Sequence, residues 1–200
     1  MKRFTLPGMA CALAVCSAQA TTVQIQVQGP DGKALAGAAV FLESREARQK
    51  AKPLQVTEMA QAGRQFTPSV LIVPTGTAVT FPNRDTVRHH VYSFSETKKF
   101  ELKLFAGTPA NPVVFDKSGI AVLGCNIHDN MAAWIVIVDT PFYGLSDSLG
   151  ITALVDVPPA NYRLRVWHSR QPVGAPALDQ AMIVGSALTS ATVRLTGLTP

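Results

Sequence analysis

Cysteine, aromatic side chains and long apolar runs are all scarce in this sequence. Only three of its 200 residues are cysteine and only 7% are aromatic. Past the first twenty residues no apolar stretch approaches the ~20 residues that cross a bilayer as a helix, which removes a helical membrane protein from consideration. No Lys/Arg cluster is interleaved with aromatics, so the basic excess carries no sign of a nucleic-acid surface. No stretch of length shows helical periodicity either. The charged segment ESREARQKAK, residues 43–52, has helix-forming composition but no apolar face, and reads as a linker or a short solvated helix. What is present is 47% hydrophobic residues, enough for a packed core, with 14 Gly and 14 Pro spread along the chain. That distribution suits short strands joined by many turns.

The amino terminus has the form of an export signal. Lys2 and Arg3 precede a mostly apolar run from Phe4 to Val15, and Ser17-Ala18-Gln19-Ala20 ends in the small-x-small pattern of a cleavage site. Residues 1–20 are therefore expected to be a cleavable signal peptide, and the mature protein to be periplasmic. A lipid-anchored alternative fits poorly, because Val15 is too large to precede a modified Cys16 and Cys11 lies too early. Cleavage removes Lys2 and Arg3 from 18 basic residues, leaving 16 against 13 acidic ones, a mild net +3. It also removes Cys11 and Cys16. Cys125 is then alone in an oxidising compartment and can form no internal disulfide. Such a thiol is buried and inert, paired between chains, or bound to a metal.

Nearly everything else reads as strand. Val23, Ile25 and Val27 alternate with glutamines up to the turn sequence GPDG; Ala39 to Leu42, Ser69 to Val73 and Ala78 to Phe81 are short apolar runs. Phe100, Leu102 and Leu104 alternate with Glu101, Lys103 and Phe105. Val113 to Phe115 and Ile120 to Leu123 flank the turn DKSG. Trp134 to Val138 is continuously apolar, as in a strand covered on both faces, and Tyr162, Leu164 and Val166 alternate with arginines and Trp167. Met182 to Val184 and Ala191 to Leu195 complete the set. The expected class is all-β, with one or two sandwiches.

The neighbours of the lone thiol decide its reading. GCNIHDNM, residues 124–131, places Cys125, His128 and Met131 at three-residue spacing between two expected strands. Thiolate, imidazole and thioether form a soft to intermediate donor set. The thioether discriminates: structural zinc rarely takes one, whereas copper accepts all three. Two His, one Cys and a distant axial Met make a type 1 copper centre. A second imidazole must come from elsewhere, and His89-His90 lies 36 residues before the cysteine, opening the strand-like VYSFS. Taken singly, each residue has a duller role: Cys125 or Met131 in a core, His128 on a surface loop, His168 at a strand end beside Trp167.

VTFPNRDTVRHHVYSFS followed by GIAVLGCNIHDNM resembles the cupredoxin pattern, with a His after one strand and then a Cys-x-x-His-x-x-Met loop. The short loop is similar to those of the amicyanin and pseudoazurin-like branches. The wording over residues 60–141 also resembles bacterial exported proteins described as methylamine-utilization or plastocyanin-like. The resemblance implies one copper per chain, held by His89, Cys125, His128 and Met131. It favours His89 over His90 because His90 falls where the family commonly has Asn. This chain departs from the family in placing Ile127 where a proline is frequent, and Asp129 directly after His128. Arg88, Lys98, Lys99 and Lys103 make a basic neighbourhood that reads as a solvated face before a docking patch.

The flanks resemble carboxypeptidase-regulatory-like, transthyretin-like sandwiches: TVQIQVQGPDGKALAGAAVFLES at one end and GITALVDVPPANYRLRVWH at the other, with Asn161 where Gly is usual. Two strands before the copper segment and three or four after it are too few to bury separate cores. The expected organisation is a cupredoxin Greek-key β-sandwich at 60–144, a linker at 46–59, and one discontinuous sandwich from 21–45 and 145–200; two consecutive units are the competing arrangement. The function implied is a periplasmic one-electron carrier exchanging electrons transiently with other exported redox proteins, with Ile127, Ala132 and Ala133 as an apolar rim around His128. Copper sequestration or delivery, and a structural module without redox role, share the same sequence features. An enzyme is not expected: four histidines cannot furnish a second His₃ centre, one loop cysteine cannot make a binuclear site, and no small-molecule substrate is implied.

Overall fold

The computed structural model describes residues 20–199, so the expected signal peptide lies almost wholly outside the described residues. The order of elements is β1 (Thr21–Gln28), β2 (Ala39–Glu43), α1 (Arg45–Lys50), β3 (Thr57–Glu58), β4 (Ala60–Ala62), β5 (Gln65–Thr67), β6 (Val70–Pro74), β7 (Thr77–Thr80), β8 (His89–Ser95), β9 (Lys98–Phe105), β10 (Val113–Phe115), β11 (Gly119–Gly124), β12 (Ala132–Val138), β13 (Tyr143–Leu145), β14 (Ile151–Val157), β15 (Ala160–Trp167), β16 (Leu178–Val184) and β17 (Thr189–Arg194). Among the described residues the fold is all-β apart from α1. That helix starts where the Ser44 hydroxyl accepts a hydrogen bond from the Ala47 N–H at 3.0 Å, and it buries only Ala47, as a charged sequence without an apolar stripe must.

Strands from the two ends of the chain pack on each other. One sheet has the order β14-β1-β17, with β1 and β17 parallel; the facing sheet has the order β13-β2-β15-β16. Period-2 alternation explains their shared core. Val23, Ile25 and Val27 of β1 meet Val40 and Leu42 of β2 and Tyr162, Leu164 and Val166 of β15. Five strands follow the central segment rather than three or four, and β13 pairs with Phe41–Ala39 from Tyr143 onward, so the chain joins this sheet before residue 145.

The central segment forms the five-stranded sheet β6-β12-β11-β8-β9, the three-stranded sheet β10-β7-β3 and the hairpin β4-β5. The short pieces at 57–67 carry too few apolar residues to register as strands in the sequence. The core between these sheets holds Phe81, Val91, Phe115, Leu123, Ile135 and Ile137, together with Cys125 and Met131. β12 is buried on both faces because the two sandwiches stand back to back. Ile135 and Ile137 face the central core, while Val136 and Val138 pack with Val70, Ile72, Ala39, Phe41 and Trp167. Trp134 and Trp167 meet there with ring centroids 6.2 Å apart.

One alternation is interrupted. His89 pairs with Phe105 but Val91 pairs with Leu102, so Lys103 and Leu104 together oppose His90. This β-bulge in β9 reverses the facing of the residues beyond it. Phe105 turns toward the core and Leu104 is left 53% exposed, contrary to the simple alternation of Phe100, Leu102 and Leu104.

The two-sided burial of β12 makes its core residues sensitive. Ile135→Ala is expected to lower the unfolding free energy by about 2–5 kcal/mol. Val155→Ala, at a 61% exposed position, is expected to change it by about 0.5 kcal/mol or less. Urea-denaturation midpoints of the two variants check the contrast.

Candidate metal centre

β11 and β12 form an antiparallel hairpin whose last pair is Gly124 with Ala132. Residues 125–131 are thereby a seven-residue loop with both ends fixed by the sheet. Within it the Met131 N–H donates to the His128 carbonyl at 2.9 Å, which tightens the turn between the two side chains. β8 runs antiparallel beside β11, with Tyr92 opposite Gly124. Three residues earlier on β8, His89 therefore lies beyond the end of β11, level with the loop.

The adjacent histidines of β8 point to opposite faces, as neighbours on a strand do. His89, Val91 and Ser93 face inward and are all but fully buried. His90, Tyr92 and Phe94 line the other face, with successive ring centroids 5.7 and 5.1 Å apart. His90 Nε2 comes within 2.9 Å of Glu101 Oε1, out of line for a good hydrogen bond.

His89, Cys125 and His128 each bring one donor atom to within 4.8 Å of the other two. The His89 Nδ1 to Cys125 Sγ distance is 3.9 Å, and the two imidazole centroids are 5.2 Å apart at 59°. Donors bonded at about 2.0–2.3 Å to one ion in a roughly trigonal plane stand about 3.5–4.0 Å apart, so the His89–Cys125 spacing suits a shared ion. His128 Nδ1 is buried with no hydrogen-bond partner. An imidazole nitrogen withdrawn from water normally has a partner, and a metal bond would supply it. Cys125 and Met131 are 4% and 2% exposed and border an open cleft of about 480 Å³ with Tyr92, Gly124 and Asp129, a cleft that neither His89 nor His128 lines. Two imidazoles and one thiol at this spacing are a donor set that fits copper, and Met131 lies in the same buried core.

The remaining histidine is engaged elsewhere. His168 Nδ1 accepts from the Arg170 N–H at 3.1 Å, and its Nε2 lies 3.0 Å from the Ala36 carbonyl. Of the expected apolar rim, Ile127 is 46% exposed and Ala132 is exposed, but Ala133 is fully buried and contributes nothing to a surface.

Two residues around His89 escape a reading by motif. Asp85 Oδ2 is 2.8 Å from His89 Nε2. The Arg64 backbone N–H foremost, and the His89 hydrogen bond after it, hold the Asp85 carboxyl below its ordinary value. Asn83, 6% exposed, donates through Nδ2 to the carbonyls of Val87 and Phe105 at 2.8 and 3.0 Å, bracing the loop that leads into β8. No sequence spacing marks Asp85, because a four-residue separation aligns side chains on a helix and Asp85 lies in the loop before β8.

No protein-family model matches this chain, and no curated protein matches it in sequence. Solved structures do match parts of it. A copper-containing nitrite reductase from Thermus scotoductus is 28% identical over 44% of this chain, with a TM-score of 0.39; the match spans only 23% of the reductase. A purple cupredoxin from Nitrosopumilus maritimus is 20% identical, covering 41% of this chain and 99% of its own, with a TM-score of 0.36. A point mutant of amicyanin in its reduced Cu(I) form is 18% identical, covering 50% of this chain and 98% of its own, with a TM-score of 0.38. At such overlap the weight falls on the convergent side chains themselves.

Gly124 lets Tyr92 lie across the strand end beside Cys125. A Cβ at Gly124 would come within 2.7 Å of the Tyr92 Cζ and Oη atoms. Gly124→Ala is expected to cost about 1–3 kcal/mol, and most of that loss should be absent when Gly124→Ala is made in a Tyr92→Ala background. A double-mutant cycle in urea measures the coupling.

Proposed function

We propose that this chain is an exported type 1 copper protein that carries one electron at a time, with one copper per chain held by His89, Cys125, His128 and Met131. The observation that carries the reading is the meeting of two imidazoles and a thiol, His89 and Cys125 buried and His128 half-buried, with His128 Nδ1 lacking any other partner. Copper in such a site would accept and release a single electron. The residues of the chain do the rest. The hairpin loop fixes three donors relative to one another, and β8 fixes the fourth. Because the strands hold the donors, little rearrangement would accompany a change of oxidation state. Met131, buried beside the thiol in the same core, would tune the potential.

His128 is the half-buried ligand on the loop, and the exposed Ile127 beside it offers an apolar contact. That pairing suits brief docking with other exported redox proteins rather than a lasting interface. With His90 beside Glu101 and His168 bonded on both nitrogens, a second copper centre would lack imidazoles, which favours a carrier over an oxidase or reductase. The division into a central copper unit and a discontinuous sandwich from the chain ends belongs to the same proposal, with the second boundary before Tyr143, where β13 joins β2, rather than at 144, as does a periplasmic location. The separate cores of the two groups of strands support the division, and the export signal read from the sequence supports the location.

Copper loading of the purified protein is expected to give an intense thiolate-to-copper absorption band that vanishes in Cys125→Ser. His89→Ala is expected to weaken copper binding by more than the ~10–100-fold typical of an outer-shell change, and His90→Ala to leave both band and affinity close to wild type. Full copper occupancy without colour would replace the carrier reading with copper sequestration. Loss of the band in His90→Ala but not His89→Ala would overturn the ligand set.

A further inference from the structure

We propose that Asp85 is a positioning residue of this centre: it fixes the tautomer of His89 so that the Nδ1 lone pair faces Cys125, and it is itself clamped by the turn between β4 and β5. The effect on copper rests on the reading given above; the effect on the imidazole does not.

His89 is fully buried, so its two nitrogens can be satisfied only by what the fold supplies. Nε2 lies 2.8 Å from Asp85 Oδ2, and Nδ1 faces Cys125 Sγ at 3.9 Å. A neutral imidazole carries one proton, and an ionised carboxylate can only accept. Nε2–H therefore donates to Asp85, and Nδ1 is left with its lone pair on the side where Cys125 and His128 converge. Without the carboxylate, the proton would be free to move to Nδ1 and block that donor.

Asp85 is held as firmly as it holds. The Gly63 N–H donates to Oδ1 at 2.7 Å and the Arg64 N–H to Oδ2 at 2.9 Å, while the Asp85 N–H donates to Asn83 Oδ1 at 2.9 Å. Gly63 and Arg64 are the two linking residues of the β4-β5 hairpin, with φ of +62° and +58°, as a type I′ turn requires. The hairpin is stitched to the same segment by Gln61 N–H to the Pro82 carbonyl and Arg84 N–H to the Gln61 carbonyl, both at 2.8 Å. A hairpin that contributes no donor to the centre thus sets the orientation of a ligand through one carboxylate. The demand is for an acid rather than an amide. Three donors converge on its two oxygens, and the NH₂ of an asparagine would face at least one of them. The negative charge would also raise the basicity of the ligand and favour the oxidised ion.

The test uses the full mature chain and two variants, Asp85→Asn and Asp85→Ala. In metal-free protein, long-range ¹H–¹⁵N spectra report the tautomer of His89 directly. The wild type is expected to show the Nε2–H form, Asp85→Asn to keep it through an amide oxygen at the Oδ2 position, and Asp85→Ala to lose the single form. In copper-loaded protein, both variants should bind Cu(II) about 10–100-fold more weakly and Cu(I) less affected, so the reduction potential rises, by 59 mV for each tenfold difference. If Asp85→Ala does not fold, the wild-type tautomer and the potential of Asp85→Asn decide. An Nδ1–H wild type, or a potential unmoved in every folded variant, would overturn the proposal. A protein that binds no copper yet shows the Asp85-dependent Nε2–H form would refute the carrier reading while upholding the role of Asp85.

Discussion

The pairing of Gly124 with Ala132 is the constraint from which the rest of the centre follows. It closes β11 and β12 around residues 125–131 and fixes both ends of the loop that carries a thiol, an imidazole and a thioether. Had β12 paired with β11 one residue out of register, the sequence spacing of Cys125, His128 and Met131 would be unchanged but the side chains of β12 would turn to the opposite face. β8 completes the arrangement through a single register position, Tyr92 against Gly124, which sets His89 level with the loop. A close approach of ring and backbone sustains that register, and only glycine at 124 leaves room for it.

Rigidity around the pocket comes from burial on several sides. Ile135 and Ile137 pack into the same core as Cys125 and Met131, while Val136 and Val138 on the reverse of the strand pack against the sandwich made from the chain ends. Each buried aliphatic side chain of this kind contributes about 1.5–3 kcal/mol, so β12 is anchored twice. The strand that ends the ligand loop is therefore also the seam between the two halves of the molecule. Polar support arrives from a third direction, where Asn83 and Asp85 tie the loop before β8 to backbone groups of β9 and of the β4-β5 turn.

Much of this was legible in the sequence, and the parts that were not have identifiable causes. The continuous apolar run Trp134 to Val138 announced a strand covered twice, and the Cys-x-x-His spacing announced two donors on one loop, which the structure brings together with His89. The choice between His89 and His90 was not legible from alternation, since both are buried; the structure separates them by face, sending one toward Cys125 and the other toward Glu101. The bulge in β9 was hidden because Leu104 and Phe105 are both apolar and either could have faced the core. The β4-β5 hairpin was hidden because its turn uses Arg64 in a left-handed conformation, where a second glycine or an asparagine would have signalled it. The parallel pairing of β1 with β17 joins residues some 170 positions apart, a distance at which local patterns carry no information.

The central claim is that imidazoles from two separate segments and one thiolate share a single copper ion. X-ray absorption at the copper edge of the loaded protein tests it most directly, because it counts and identifies the bonded atoms without regard to colour or potential. The account predicts one short sulfur bond and two imidazole nitrogens. A copper surrounded by nitrogen and oxygen alone, with no short sulfur, would contradict it.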